Sequence, residues 1–161
     1  MKTALPPIVN LESSTLILGS MPGEKSLELQ QYYGNRGNSF WRLMFTIFNE
    51  AFSEDYEKRK QLLYQNGIAV WDVLSYCERE GSVDSKIKNE ASNEFSKFFA
   101  AYPNITTVFF SSKAAAGYYD KYNPRLPYIT YIILPSPSGA NAGKSFSQKL
   151  EEWFILKDFV R

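Results

Sequence analysis

Thr15-Leu16-Ile17-Leu18-Gly19 is a compact apolar run, and it leads directly into the segment Ser20-Met21-Pro22-Gly23. An apolar run of this length predicts a buried strand, and the turn-forming residues after it predict a loop at the carboxyl end of that strand. Glycines on both sides of a proline allow the backbone amides of such a loop to point into a cleft. A plain turn is the alternative interpretation of the same residues.

Strand and helix signals alternate along the rest of the chain. Further strands are predicted at residues 68–71, 106–110 and 128–134, and helices at residues 39–52, 54–65, 91–101, 112–122 and 145–154. Residues 77–88 are predicted to form a loop with a short helix. Ser111 or Ser112 is the expected cap of one helix, and Ser145 with Gln148 fits a capping box for the last. This alternation favours an α/β sandwich with a mostly parallel sheet, in which ligands bind at the carboxyl ends of the strands.

Composition sets limits on the chemistry. The chain has 161 residues, of which 44% are hydrophobic and 22% charged, and this indicates one globular domain over residues 1–161. It contains no histidine, which excludes Ser-His-Asp and Cys-His catalysis and histidine-liganded zinc. Cys77 is the single cysteine, so an intramolecular disulfide or a four-cysteine metal site is excluded, and the lone thiol suits a reducing cytoplasm. The N-terminal segment has no long apolar run, so we expect no signal peptide and no membrane partner.

The loop after the first strand continues as Gln31-Tyr32-Tyr33-Gly34-Asn35-Arg36-Gly37-Asn38-Ser39-Phe40-Trp41. The tyrosine pair offers a flat face for a planar ring, although such pairs more often belong to a core. The amide of Asn38 either reaches a polar ligand or simply caps the helix that follows it. The sequence leaves both alternatives open.

The loop after the last strand reads Pro135-Ser136-Pro137-Ser138-Gly139-Ala140-Asn141-Ala142-Gly143-Lys144. Its prolines stiffen it, and its small residues allow the backbone of another molecule to approach closely. Ser136, Ser138 and Asn141 are suited to bind phosphate oxygens, and Lys144 adds positive charge beside them. A plain strand-to-helix connection is again the alternative.

Taken together, the two loops resemble the signature motifs of the uracil-DNA glycosylase superfamily. The pattern Gly19-Ser20-Met21-Pro22-Gly23, the Tyr32-Tyr33 pair and Asn38-Ser39-Phe40-Trp41 are similar to the hypoxanthine branch and, less closely, to the mismatch-specific branch. Residues 67–74, with Cys77, Arg79, Gly81-Ser82 and Asp84-Ser85, also look like the hypoxanthine branch. Ser136-Pro137-Ser138-Gly139 resembles the final motif of the superfamily. The likeness runs from Leu16 to Trp153.

The chain departs from the patterns that it resembles at two of these positions. Met21 stands where the mismatch-specific enzymes carry a water-orienting asparagine, and a thioether neither orients water strongly nor accepts its proton. Ser136 stands where the classical enzymes carry histidine. We expect the smaller Ser136 side chain to widen the pocket toward a purine-like base.

The resemblance implies a three-layer α/β/α sandwich with a central, mostly parallel four-stranded sheet. It also implies a monofunctional DNA glycosylase that needs no cofactor or metal and attacks C1′ of an everted, deaminated nucleotide with water, with hypoxanthine favoured and uracil possible. The expected partner is DNA carrying deaminated or mismatched bases, bound by a monomer. A catalytically weak or inactive base-binding module of the same fold is the alternative that Met21 supports, and an unrelated small-molecule protein is a third.

The resemblance and the loop positions assign roles to individual residues. The catalytic candidates are Asn38 and Asp72, the latter because it follows a predicted strand. The expected base-binding residues are Gly19, Ser20, Met21, Pro22, Gly23, Tyr33, Phe40 and Ser136, with Tyr33 stacking on the base. The DNA-binding candidates are Arg36, Lys113, Pro137, Ser138, Gly139, Ala140, Asn141 and Lys144, and residues 138–143 are expected to run along the strand. Activity should be nearly flat from about pH 6 to 8 unless a shifted carboxylate such as Asp72 takes part.

Overall fold

The computed structural model describes residues 1–141 and 143–160; Ala142, which belongs to the predicted DNA-contacting stretch, lies outside the described residues, as does Arg161. In chain order the strands are β1 (Lys2–Thr3), β2 (Thr15–Gly19), β3 (Ile68–Asp72), β4 (Leu74–Glu78), β5 (Lys88–Ser92), β6 (Thr107–Phe110) and β7 (Thr130–Ile133). The helices are α1 (Glu24–Leu29), α2 (Phe40–Ile47), α3 (Tyr56–Gln65), α4 (Phe95–Ala101), α5 (Lys113–Tyr122) and α6 (Phe146–Trp153). Short 3₁₀ helices lie between β4 and β5, at Asp84–Lys86, and after α6, at Phe154–Asp158.

The central sheet has four parallel strands in the order β3-β2-β6-β7. Alternating side chains of β2 enter two different cores, as the period of two in a strand requires. Ile17 packs on one side with α2, α3 and α6, whereas Leu16 and Leu18 pack on the other side with α4 and α5. The expected three-layer arrangement with a mostly parallel four-stranded sheet is therefore confirmed.

A second, antiparallel sheet of order β1-β4-β5 covers part of the second core, and the sequence did not predict it. Residues 77–88 are only partly a loop, because Cys77 lies in β4 and Lys88 begins β5. The helix expected from residue 91 begins at Phe95 instead. β5 reads Lys88-Asn89-Glu90-Ala91-Ser92, which has little strand preference, so its strand form depends on pairing with β4.

Most other element boundaries fall within the predicted ranges. The helix expected over residues 39–52 stops at Ile47, because Asn49 adopts a left-handed backbone conformation that ends it. Ser112 caps α5 by accepting a hydrogen bond from the Ala115 N–H, and the Ser145–Gln148 capping box of α6 is present, as predicted. Within the described residues, no helix is long and apolar enough to cross a membrane.

Candidate functional site

A cleft of about 1100 Å³ opens at the carboxyl edge of the parallel sheet. Each of the four strands ends at it: β2 at Gly19, β3 at Asp72, β6 just before Ser111, and β7 just before Leu134. Backbone hydrogen bonds continue one step beyond the strands, since Ser111 donates to Leu18 and Leu134 donates to Phe110. The strand ends therefore form a continuous floor for the cleft.

The loop Ser20–Gly23 forms one wall of the cleft, as the sequence predicted. Its Gly19 and Ser20 carbonyls accept hydrogen bonds from the N–H groups of Val73 and Leu74. Among residues 1–141 and 143–160, no group accepts from the N–H of Ser20 or Met21, so both amides are available to a ligand. At Gly19 a Cβ atom would lie 2.5 Å from Asp72 Oδ1, so a larger residue there would displace the Asp72 carboxyl group.

Tyr33 lines the cleft with a ring that the protein supports from behind. The ring stacks on Phe40 with centroids 3.9 Å apart and planes 15° from parallel. Burial, and then the nearby Asp72 carboxyl, raise the pKa of Tyr33, so its phenol is neutral. Phe40 therefore covers one face of a ring that belongs to the lining of the cleft. Phe40 itself is fully buried and does not line the cleft, so the prediction that it contacts the base is wrong: it supports Tyr33 instead.

Asn38 lines the same cleft and also caps α2. Its Oδ1 accepts a hydrogen bond from the Phe40 N–H at 2.9 Å, while Ser39, the N-cap residue, makes no side-chain cap. Within the described part of the chain, no protein group accepts from Nδ2 of Asn38. Both predicted interpretations are therefore compatible, since one end of the carboxamide holds the helix and the other is free to meet a ligand.

The loop that follows β7 forms the opposite wall, from Pro135 to Asn141. Its polar groups are largely used to hold its own shape. Ser136 Oγ accepts from the Ser138 N–H, and the Asn141 side chain donates to the Ser136 carbonyl at 3.0 Å. From α6, the buried Lys149 donates to the Ser138 carbonyl and Trp153 donates to that of Pro135. The loop is thus rigidly presented.

The Pro135–Asn141 wall touches the segment Gly37–Ser39 beside Asn38. The Ser39 N–H donates to the Pro137 carbonyl at 2.8 Å. A Cβ atom at Gly139 would lie 2.8 Å from the Gly37 carbonyl oxygen, so the close approach of the two loops needs glycine. These contacts couple the positions of Asn38 and the Pro137–Asn141 loop.

Asp72 is the most perturbed acid in the cleft. Its side chain is buried, and its Oδ2 has no hydrogen-bond partner within the described residues. Burial, reinforced by the negative charge of Asp84 and opposed by the positive charge of Arg79, raises the pKa of Asp72 to about 7. Its carboxyl group is consequently poised to change protonation at neutral pH.

A network around Arg79 joins the antiparallel sheet to the cleft. Its buried guanidinium donates to the Pro22 carbonyl at 2.6 Å, to the Ser82 carbonyl at 3.3 Å and to Asp84 Oδ1 at 3.3 Å. Arg79, Ser82 and Asp84 belong to the stretch that resembles the hypoxanthine branch, but the sequence analysis predicted no role for them. Their convergence depends on the β4–β5 pairing, which the sequence did not predict.

The basic residues near the cleft differ in their surroundings. Lys113 lines it and is exposed. Lys144 also lines it but forms an ion pair with Glu152. Arg36 is almost fully exposed, 4.0 Å from Glu54, and does not line the cleft. Arg42, on the neighbouring helix α2, lies over the Phe146 ring. Of the described residues, no group of three or more Cys, Asp or Glu side chains is arranged to hold a metal ion.

This fold and cleft belong to a known class. The family model of the uracil DNA glycosylase superfamily matches residues 6–159, so the chain belongs to that superfamily and is a DNA glycosylase.

Two archaeal proteins are similar to this chain over most of its length. The chain is 41% identical over 149 residues to the hypoxanthine DNA glycosylase of Methanosarcina barkeri, covering 92% of this chain and 93% of that one. It is 40% identical over 156 residues to the hypoxanthine DNA glycosylase of Methanosarcina acetivorans, covering 94% and 95%. A solution NMR structure of a candidate uracil DNA glycosylase from M. acetivorans superimposes with a TM-score of 0.81 at 36% identity, covering 96% of this chain and 95% of that one.

The raised pKa of Asp72 predicts a pH-dependent stability cost. Between about pH 4 and pH 7 the folded protein keeps the Asp72 proton and the unfolded chain loses it, so the free energy of unfolding falls as pH rises through that range. Asp72→Asn removes this cost, and we expect the variant to be more stable than the wild type at pH 8 by up to roughly 4 kcal/mol. Urea denaturation at pH 4 and pH 8 measures the difference, which should nearly vanish at pH 4. An equal difference at both pH values would contradict the assignment.

Proposed function

We propose that this DNA glycosylase removes deaminated bases from DNA, with hypoxanthine preferred and uracil accepted, by hydrolysis of the N-glycosidic bond. The observation that carries the proposal is that Tyr33, stacked on Phe40, and the carboxamide of Asn38 line one cleft. The names of the two relatives that share about 40% of its residues support hypoxanthine as the preferred base.

The reaction begins with eversion of the nucleotide, which costs a few kcal/mol and is easiest for a mispaired base. An everted base then stacks on the face of Tyr33 opposite Phe40. Because Phe40 already fixes the ring from behind, little side-chain freedom is lost when the base arrives. The neutral phenol of Tyr33 adds no charge beside the leaving base.

Negative charge develops on the base as the glycosidic bond breaks. The N–H groups of Ser20 and Met21, which have no acceptor among the described residues, are fixed donors on the wall of the cleft. Preorganised donors of this kind stabilise developing charge. The Gly19 and Ser20 carbonyls are already hydrogen-bonded, so the loop holds its amides in place without the ligand.

Asn38 acts by position, because an amide does not titrate. Its Oδ1 is held by the Phe40 N–H, which orients Nδ2 toward a group of the substrate and leaves a second lone pair of Oδ1 for a water molecule. A carboxamide fixed in this way can bond the leaving base or hold the water that attacks C1′.

Asp72 acts as a neutral acid in this scheme. With a pKa of about 7 it is largely protonated below neutral pH, and a protonated carboxyl group donates a hydrogen bond. A purine anion is a poor leaving group, and a hydrogen bond donated by Asp72 to one of its ring nitrogens would stabilise it. The charges of Asp84 and Arg79 act on Asp72, and the phenols of Tyr32 and Tyr33 lie close enough to interact with it.

The Pro137–Asn141 loop is proposed to follow the DNA backbone, with Lys113 contacting phosphate. The loop is stiff and presents small side chains, so it makes a weak apolar wedge into the space left by the base. Because Lys144 is paired with Glu152, its charge is partly neutralised, and binding should weaken quickly with salt.

Met21 supports a second candidate, a base-binding protein with weak or no turnover. Its buried thioether lines the cleft where related enzymes orient water, and a thioether is a poor partner for water. Tight binding to inosine-containing DNA without formation of abasic sites would support this candidate over the enzyme.

Asn38→Ala should lower the single-turnover rate on duplexes carrying inosine by roughly 100-fold, because it removes the amide donor. Cleavage of the product at abasic sites with alkali measures the rate. Asn38→Asp keeps an oxygen to cap α2 but has no N–H donor, so it should be similarly slow while folding normally. Asn10→Ala is the matched control, since it removes a similar turn away from the cleft, in which Asn10 Oδ1 accepts from the Glu12 N–H. Full activity in Asn38→Ala would leave Asn38 as a cap alone.

The neutral-acid role of Asp72 predicts a pH–rate profile. The wild-type rate should be level below pH 7 and fall up to about tenfold per pH unit above it, as the carboxyl group loses its proton. Asp72→Asn keeps a hydrogen-bond donor and should remain active with a flat profile from pH 6 to 9. A rate that rises through pH 7, or an Asp72→Asn variant that is inactive at every pH, would show that Asp72 works as a base.

The size of Ser136 is proposed to set the preference for a purine. Ser136→His fills part of the cleft and should shift the ratio of hypoxanthine to uracil removal toward uracil by about tenfold or more. Excision assays on matched inosine and uridine duplexes measure this ratio. Ser147→His on the exposed face of α6 is the control and should leave the ratio unchanged. An unaltered preference in Ser136→His would remove this explanation of purine selectivity.

A further inference from the structure

We propose that Asp84 is a specificity-determining residue that accepts a hydrogen bond from the ring N–H that deamination creates on a nucleobase. This inference rests on the proposed function and deepens it, because it names the feature of the base that the cleft recognises. Asp84 lies on the wall of the cleft formed by Ser82, Val83 and Asp84, and the proposed reaction assigns it no contact with the base.

One oxygen of Asp84 is held in place by the protein. Oδ1 accepts from the hydroxyl of Ser20 at 2.8 Å and from the guanidinium of Arg79 at 3.3 Å. The Arg79 side chain is itself fully buried and is anchored on the carbonyls of Pro22 and Ser82. The Asp84 carboxyl group is therefore fixed against the base-binding loop by charge-assisted hydrogen bonds.

The second oxygen remains available to a ligand. No residue in the described ranges 1–141 and 143–160 donates a hydrogen bond to Oδ2 of Asp84, and the side chain is 37% exposed. A carboxylate repels phosphate, so the group that meets it in a DNA-binding cleft is a donor on the base. The positive charge of Arg79 behind Oδ1 offsets the cost of holding a carboxylate in this position.

Deamination produces the complementary pattern on the base. In adenine the ring N1 is an acceptor beside an amino group, whereas hypoxanthine has an N1–H donor beside a carbonyl oxygen. The change from cytosine to uracil is the same at N3 and the neighbouring carbonyl. A fixed acceptor next to fixed donors thus recognises the deaminated product and opposes its parent.

Ser20 places such donors beside Asp84. Its hydroxyl contacts Asp84 Oδ1, and its backbone N–H, with that of Met21, is unpaired among the described residues. The cleft therefore presents an acceptor, Asp84 Oδ2, beside the donors of Ser20 and Met21. Hypoxanthine and uracil match this order, while the lone pair of adenine N1 would face the carboxylate and lose the hydrogen bond.

The first test uses the wild-type protein, so it does not depend on the folding of a variant. Single-turnover excision is compared on duplexes that carry hypoxanthine or N1-methylhypoxanthine, in which the ring N–H is absent. We expect the methylated base to be removed roughly 10- to 100-fold more slowly. Equal rates would overturn the inference.

The second test separates loss of the N–H from the bulk of the methyl group. Asp84→Asn retains an oxygen for Arg79 and Ser20 and can present an amide donor in place of Oδ2. It should slow hypoxanthine removal so that the ratio to N1-methylhypoxanthine falls at least about tenfold, and the ratio of hypoxanthine to adenine should fall similarly. Asp158→Asn, an exposed acid outside the cleft, is the control with unchanged ratios. Unchanged ratios in Asp84→Asn would overturn the inference.

These tests distinguish the inference from the proposed function. If the wild-type protein produces no abasic sites from inosine but does so from uridine, the preference for hypoxanthine is wrong. The comparison of uracil with N3-methyluracil then tests Asp84 by the same logic, and equal removal of those two bases would overturn its role. Retained removal of hypoxanthine with loss of discrimination in Asp84→Asn supports both.

Discussion

The parallel register of the four central strands is the constraint on which the site depends. Thr15 pairs with Ile68 on one side and with Thr107 on the other, and Thr107 pairs with Thr130, so all four strands begin at the same level. They consequently end together as well, and their carboxyl ends bring together groups from four distant segments of the chain. A shift of one residue in any strand would turn its core side chains to the opposite face and move its contribution out of the cleft.

Buried polar groups then set the finer geometry of this edge. Arg79 fixes the loop that begins at Ser20, and Lys149 and Trp153 fix the loop that follows β7. These groups are fully or largely buried and hydrogen-bonded to backbone carbonyls, which makes the two walls rigid without a ligand. The cleft is thus preorganised, and the proposed function assigns its chemistry to positioned amides and one carboxyl group of raised pKa in a chain without histidine.

The sequence predicted the parts of this arrangement that follow from local pattern. The alternation of Leu16, Ile17 and Leu18 and the turn residues after them were sufficient to place β2 and its loop. The combination of loops also gave most of the cleft lining. Phe40 was misplaced because a motif position does not reveal that Tyr33 lies between it and the cleft.

The antiparallel sheet and the Arg79 network could not be predicted because no local sequence pattern marks them. The strand β5 is polar and its pairing with β4 contains register shifts, so neither periodicity nor composition marks it. The raised pKa of Asp72 likewise depends on burial and on Asp84, twelve residues away, which meet only when that sheet forms. Tertiary contact, rather than local preference, decides these features.

A crystal structure of the protein with a duplex that carries a cleavage-resistant 2′-fluoro analogue of deoxyinosine tests the account most directly. It should show hypoxanthine everted from the duplex and parallel to the Tyr33 ring at about 3.5 Å, with Phe40 on the other face of that ring. A base that remains stacked in the duplex, or that lies in the complex with its ring away from Tyr33, would contradict the central claim.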